Sequence, residues 1–198
     1  MATNYEKIID ENLKGLFSQP PPDLDRSLGA KKRGESLTFH AFGQECCIDH
    51  EKVTLSGCQS VDPKGLIISL YAIHANLEQI QVEPFRAFKD LPGSMPYQGA
   101  FSANSERVLV PYIPLITEKK QHIKEVFDGE DGISGDVSFI LYPLPKIALC
   151  YIFYLADEEF PASAVTLFSA NALSFMPLDG LADVAEYTSK EIIHLASE

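Results

Sequence analysis

The chain has 198 residues, 45% of them hydrophobic and 22% charged, which suits one folded domain and excludes a disordered or low-complexity chain. Sixteen basic residues against 28 acidic ones leave a net charge of −12, a field that repels nucleic-acid phosphates and anionic membrane surfaces. The acidity is uneven: residues 1–99 hold 10 basic and 13 acidic side chains, residues 100–198 hold 6 and 15.

Tyr5, Ile8, Ile9, Leu13 and Leu16 recur at helical spacing, with Thr3 and Glu6 as a capping box and Pro20-Pro21-Pro22 as the stop. A short helix is expected over Asp23–Ala30, followed by a solvated basic loop, Lys31-Lys32-Arg33. Residues 1–35 thus read as an N-terminal helical extension to a domain over 36–198. Leu37–Phe42 and Cys46–Asp49 read as a hairpin turning at Gly43, and Val53–Leu55 as a third strand. Asp62-Pro63 is a helix start, a cap followed by proline, for a helix in which Leu66, Ile67, Leu70, Ile73, His74 and Leu77 form a broad apolar face.

Pro84–Phe88 is expected to be extended, with a turn at Leu91-Pro92-Gly93. Tyr97–Val110 reads as a helix closed by Pro111 and Pro114, and Thr117–Phe127 as a helix ended by Gly129. Val137–Leu141 alternates as a strand should, and Ile147–Leu155 is apolar on both faces, as a central strand is. Val165–Phe168 and Leu173–Met176 are further strands, and Leu181, Ala185, Thr188, Ile192 and Leu195 stripe a last helix. Tyr97, Phe101, Tyr151, Phe153 and Tyr154 are expected in the core. The fold class is α+β: a single domain with an antiparallel or mixed β-sheet and helices packed on it.

No glycine-rich phosphate loop, zinc helix or nucleophile elbow is present. His40, Cys46, Cys47 and His50 form the densest metal-like cluster, with imidazole and thiolate ligands suited to zinc. Their spacing matches no common zinc module, and consecutive strand cysteines point to opposite faces, so ordinary strand residues are the plainer account. Asp128-Gly129-Glu130-Asp131-Gly132 fails the calcium-loop pattern, because Ile133 and Phe139 stand where glycine and glutamate are needed. Asp157, Glu158 and Glu159 follow the central strand, where carboxylates serve acid–base chemistry, bind a hard cation or simply keep an edge soluble. Met1–Phe17 shows no signal-peptide run and no segment has the ~20 apolar residues of a membrane span. With Cys46, Cys47, Cys58 and Cys150 in no disulfide-like pattern, a reducing cytoplasm is the expected compartment.

Phe88-Lys89-Asp90-Leu91-Pro92-Gly93, Tyr97 and Ala100-Phe101 carry a family resemblance. So do Gly135-Asp136, Leu144-Pro145, Asp157-Glu158-Glu159-Phe160-Pro161-Ala162, Leu167-Phe168 and Met176-Pro177. In order and spacing they resemble the uncharacterised prokaryotic family catalogued as domain of unknown function 3786, over roughly residues 37–195. The resemblance implies a cytoplasmic protein with no assigned activity. Some relatives add a cysteine-rich iron–sulfur segment that these residues lack. Relatives often carry aspartate where this chain has Ser169, so no catalytic carboxylate is transferred there. The recurring Pro, Gly and Phe speak mainly for fold, with Phe160 buried and Glu158 or Glu159 binding backbone amides at the bend.

Two functions follow. The first is a non-catalytic binding or accessory module for a small molecule or a protein partner, with no role for nucleic acid or membrane. The second is an enzyme with an unrecognised acidic site built from Asp136, Asp157, Glu158, Glu159 and Tyr97, served by a divalent cation. No cofactor is named by the residues. Two acidic clusters, Asp128–Asp136 and Asp157–Glu159, are expected to frame one end of the sheet.

Overall fold

A computed structural model of the protein describes residues 4–198. The capping-box Thr3 lies outside them. Helix α1 (Asn4–Ser18) buries Ile9, Leu13 and Leu16, and the short α2 (Leu24–Leu28) follows the proline run. The basic run forms an exposed edge strand, β1 (Lys31–Arg33), not the expected loop. It pairs with β2 (Ser36–Ala41), whose edge would otherwise be open. Strands β3 (Gln44–Ile48), β4 (Val53–Leu55) and β5 (Cys58–Gln59) complete an antiparallel meander in chain order. The β2–β3 turn is Phe42-Gly43, with φ of 51° and 74°, the left-handed pair that a two-residue hairpin demands. A Cβ on Gly43 would also lie 2.4 Å from Val126 Cγ1.

Helix α3 (Pro63–Ile73) starts as the sequence implies: Asp62 Oδ1 accepts from the Gly65 amide at 3.0 Å. His74 is not on the core stripe but at the helix end, exposed, its Nδ1 at 2.9 Å from the Leu70 carbonyl oxygen. The second antiparallel sheet runs β6-β10-β9-β8-β7. Its strands are β6 (Arg86–Ala87), β7 (Glu130–Asp131), β8 (Val137–Leu144), β9 (Ile147–Tyr154) and β10 (Ser163–Phe168). Period-two alternation splits β9 between two apolar clusters. Ile147, Leu149, Tyr151 and Phe153 face the main core, while Ala148, Cys150 and Ile152 face Ile80, Val82 and Phe85 from the preceding loop.

After β6 the chain coils irregularly. A 3-10 turn at Met95–Tyr97 leads into α4 (Gln98–Phe101), a π turn at Ser102–Glu106 and a 3-10 stretch at Arg107–Tyr112 that contains Pro111. This replaces the expected helix over Tyr97–Val110, because the segment bends repeatedly. Pro114 opens the next helix, α5 (Ile113–Val126), where its missing amide costs nothing. The left-handed residue after α5 is Asp128 (φ 49°), not Gly129. Gly129 is needed for closeness, since its Cβ would lie 2.5 Å from the Ile140 carbonyl oxygen. Ala172–Ser174 forms a 3-10 turn, not a strand. The neighbours of β10 are already β9 and β6, so no edge remains there to pair. Helix α6 (Leu178–Ser197) buries all five stripe residues.

The result is an α+β single domain. Helices α1, α3, α6 and α5 pack in that order of contact, and β2 meets β8 where the sheets adjoin. The Phe42 amide donates to the Pro143 carbonyl at 2.8 Å across that seam. No helix among the described residues is long and apolar enough to cross a membrane.

Candidate functional site

Consecutive residues of β3 face opposite ways. Cys46 pairs in register with Phe39 and is buried, whereas Cys47 pairs with Thr38 on the other face. Burial, helped by the adjacent Cys47, pushes the Cys46 thiol up, so it stays protonated and is a poor ligand or nucleophile. His40 Nδ1 lies 2.9 Å from Asp128 Oδ2, and His50 Nε2 lies 3.6 Å from Glu51. The four residues are not brought to one point, and no group of metal-ligating side chains forms among the described residues.

Of the first acidic cluster only Asp136 meets the segment that follows β9, at the sheet end where Val137 of β8 is in register with Phe153 of β9, while Asp128 lies against His40 of β2. Two of the carboxylates, Asp136 and Asp157, are spent on the backbone. Asp136 Oδ2 accepts from the Leu155 amide at 2.8 Å. Asp157 Oδ1 accepts from the amides of Phe160 and Glu159 at 2.7 and 2.8 Å, and these donors hold its carboxyl below the usual carboxylate range. Asp157, not Glu158 or Glu159, therefore makes the bend. Phe160 is exposed, not buried, because the bend projects it past the sheet end. Asp131 is paired with Lys120 and Lys124 at 3.1 and 3.0 Å. Tyr97 and Tyr154 also leave the core, at 61% and 42% exposure: one sits on a 3-10 turn, the other at the last position of β9.

Tyr97 instead lines a groove of about 470 Å³ between the irregular segment and α6. Its apolar base includes Phe88 and Phe101, whose rings stack with centroids 4.1 Å apart and planes 4° from parallel. Asn104 and Ser105 enter it from the π turn, a distortion often found at functional sites. The opposite wall is one face of α6, where Asp179, Asp183 and Glu186 recur at i, i+4 and i+7 with Ala182 between them. Asn104 Nδ2 donates to Glu186 Oε2 at 3.1 Å and so spans the two walls. Asp136, Asp157, Glu158 and Glu159 do not line this groove.

Buried side-chain oxygens without a hydrogen-bond partner among the described residues are those of Ser94, Gln98, Ser105 and Thr166. Three belong to the irregular segment. The fourth is on β10, whose Thr166 amide donates to Glu106 of that segment at 3.2 Å. Ser105 is only 1% exposed, its carbonyl oxygen takes a hydrogen bond from Ser189, and its hydroxyl is left over. A second cleft, of about 450 Å³ around His40 and Lys31, differs in kind. Within it Arg33 pairs with Glu45 and His40 with Asp128, while Lys31 makes no ion pair among the described residues. Sequence reasoning reached Tyr97 but missed Asp179, Asp183 and Glu186 as a group. Their i, i+4, i+7 spacing was the available signal.

No curated protein and no solved structure matches the chain. The family model described as "Domain of unknown function (DUF3786)" matches residues 20–191, which takes in both sheets and most of α6, and the chain belongs to that family.

Proposed function

We infer that the protein is a small-molecule binding module and that its ligand occupies the groove between the irregular segment 94–112 and α6. The observation that carries this reading is the groove itself, about 470 Å³, lined by Tyr97, Ala100, Leu178 and Ala182 as well as by polar side chains. Native folds tolerate few unpartnered buried polar atoms; three of the four here lie on segment 94–112, and Ser105 alone of them belongs to the groove lining. The backbone contacts of Asp136 and Asp157 support a structural part for those carboxylates and a non-catalytic reading. Four free thiols support a reducing, cytoplasmic setting.

A thermal-shift screen of the full chain against small metabolites tests the reading. A ligand at about 100 times its Kd adds about 2.7 kcal/mol, or roughly 5–10 °C in Tm for a chain of this size. Ala100→Trp, at an exposed lining position, fills the groove and should remove that shift. Ligands that shift both proteins equally, or no shift from any compound, would overturn the proposal.

A further inference from the structure

Large apolar side chains stand in solvent together at one end of the second sheet: Ile133, Tyr154, Leu155 and Phe160. Two pieces of chain hold them side by side. The loop entering β8 is pressed onto the sheet: the Gly132 amide donates to the Ser138 carbonyl at 3.2 Å, and a Cβ on Gly135 would lie 2.6 Å from Ile152 Cγ2. Ile133 sits between those two contacts, and Tyr154 follows Ile152 on the same face of β9. The second piece is the β9–β10 turn, which begins beyond the last strand pair, Tyr154 with Ser163. There the Asp157 amide donates to the Phe160 carbonyl at 3.0 Å. With the two amide bonds that Asp157 accepts, this fixes the tip that carries Leu155 and Phe160. Asp136 ties the pieces together: its amide donates to the Phe153 carbonyl at 3.0 Å and its carboxylate takes the Leu155 amide. A singly exposed apolar residue is ordinary, but a group of them on one braced sheet end marks an interaction surface. Phe160, at 66% exposure, is its most prominent member.

The charges beside them have one sign: Asp136, Asp157, Glu158 and Glu159. Between Lys124 and Lys190 the only basic residue is Lys146. It is buried at the β8–β9 turn, the opposite end of these strands, with its ammonium donating to the Asn76 and Glu78 carbonyls. Asp136 and Asp157 brace the turns. The Glu158 and Glu159 side chains make no hydrogen bond or salt bridge among the described residues.

We propose that this sheet end is a docking surface for a basic, partly apolar segment of another protein. Its apolar side chains rest on Phe160, Leu155, Tyr154 and Ile133, and its Lys or Arg side chains face Glu158 and Glu159. The surface is separate from the groove, whose lining contains none of these residues, and it does not depend on the small-molecule reading. Charge complementarity selects the occupant. A nucleic acid or an anionic membrane meets like charges here, and a second copy of this chain brings a net charge of −12 of its own. A small ligand needs a concave site, and this is a projecting turn. Aromatic side chains are enriched at the centres of interfaces. One that a braced turn already holds in place loses little freedom on binding.

The test titrates the full chain with three synthetic peptides of equal length, of alternating Lys and Leu, alternating Lys and Ser, and alternating Glu and Leu. The Lys/Leu peptide is expected to bind and to shift the amide resonances of residues 133–136 and 154–161, leaving those of 97–105 and 178–186 in place. The Lys/Ser peptide, with the same charge and no apolar side chains, should bind about tenfold more weakly, and the Glu/Leu peptide not at all. Phe160→Ser, and Glu158→Lys combined with Glu159→Lys, change exposed side chains that make no bond within the protein. Each should weaken the Lys/Leu peptide by about tenfold or more at unchanged Tm. Binding that Phe160→Ser leaves unchanged is attraction to bulk charge and overturns the proposal. Absence of binding, resonance shifts elsewhere on the molecule or equal binding of the Glu/Leu peptide would do the same. Self-association of the wild type that Phe160→Ser removes would assign the surface to a second copy of the chain and also overturn it.

Discussion

Asp62 shows how one side chain organises its surroundings. Its Oδ1 accepts from the Ser60 hydroxyl at 2.6 Å and from the Gly65 amide at 3.0 Å, at the point where the first sheet hands over to α3. Burial by itself raises its carboxyl, but these donors and Lys64 outweigh that and hold it below its ordinary 3.8. Removing the cap with Asp62→Ala should cost about 1 kcal/mol in urea unfolding near neutral pH. The sign of the pH dependence follows from the lowered carboxyl. The contribution of Asp62 is fully present above its unfolded value of 3.8 and is lost as pH falls through its lower folded value. The difference between wild type and Asp62→Ala should therefore shrink from about pH 4 towards about pH 2. A difference that stays constant over that range would contradict the capping role. This residue was legible in the sequence, because an Asp-Pro pair before an apolar stripe has a local physical meaning. Asp183 was not. Its place on the groove depends on segment 94–112 packing against α6, with Asn104 bonded to Glu186 some eighty residues away in the chain.

At the scale of elements, packing decides which helices hold. Helix α1 joins neither sheet and is held by the contact of its apolar face with α3, where Asn12 also donates to the Ser69 hydroxyl at 3.0 Å. Leu13 is fully buried in the main core, so Leu13→Ala should destabilise by about 2–5 kcal/mol, read from the urea midpoint at unchanged slope. A cost under about 1 kcal/mol would mean that α1 is docked only loosely. Strongly periodic elements were legible: α1, α3, α5, α6, the β2–β3 hairpin and the β8–β9 pair lie where spacing and turn residues place them. Three elements were not, each for a tertiary reason. Lys31–Arg33 is a strand only because β2 offers an edge. Residues 173–176 are no strand because β10 has no free edge. Segment 94–112 winds through α, π and 3-10 geometry because it must lay Phe101 against Phe88 and Phe168 while bending around α6.

At the scale of the whole molecule, two separate sheets share one core. The main apolar cluster runs from Ile9 of α1 through Phe39 and Ile48 of the first sheet to Phe153 and Phe168 of the second and Ile192 of α6. A shared core should unfold as one unit. Far-ultraviolet dichroism, which reports helices, and tyrosine fluorescence should give coincident thermal transitions, and no tryptophan masks the tyrosine signal. Two resolved transitions would show that the first sheet and α1 fold apart from the second sheet.

The net charge of −12, the α+β class and the main elements were properties of the sequence itself. They follow from composition and from side-chain periods of 2 and about 3.6, which act between residues close in the chain. The division of strands into two sheets and the bond that brings Asp136 to the Leu155 amide were decided only by tertiary structure. So was the groove, where residues 88–105 meet residues 178–186 across an aromatic base. Those features require contacts between segments tens of residues apart, and such contacts are selected by burial of the whole core and leave no local period to read.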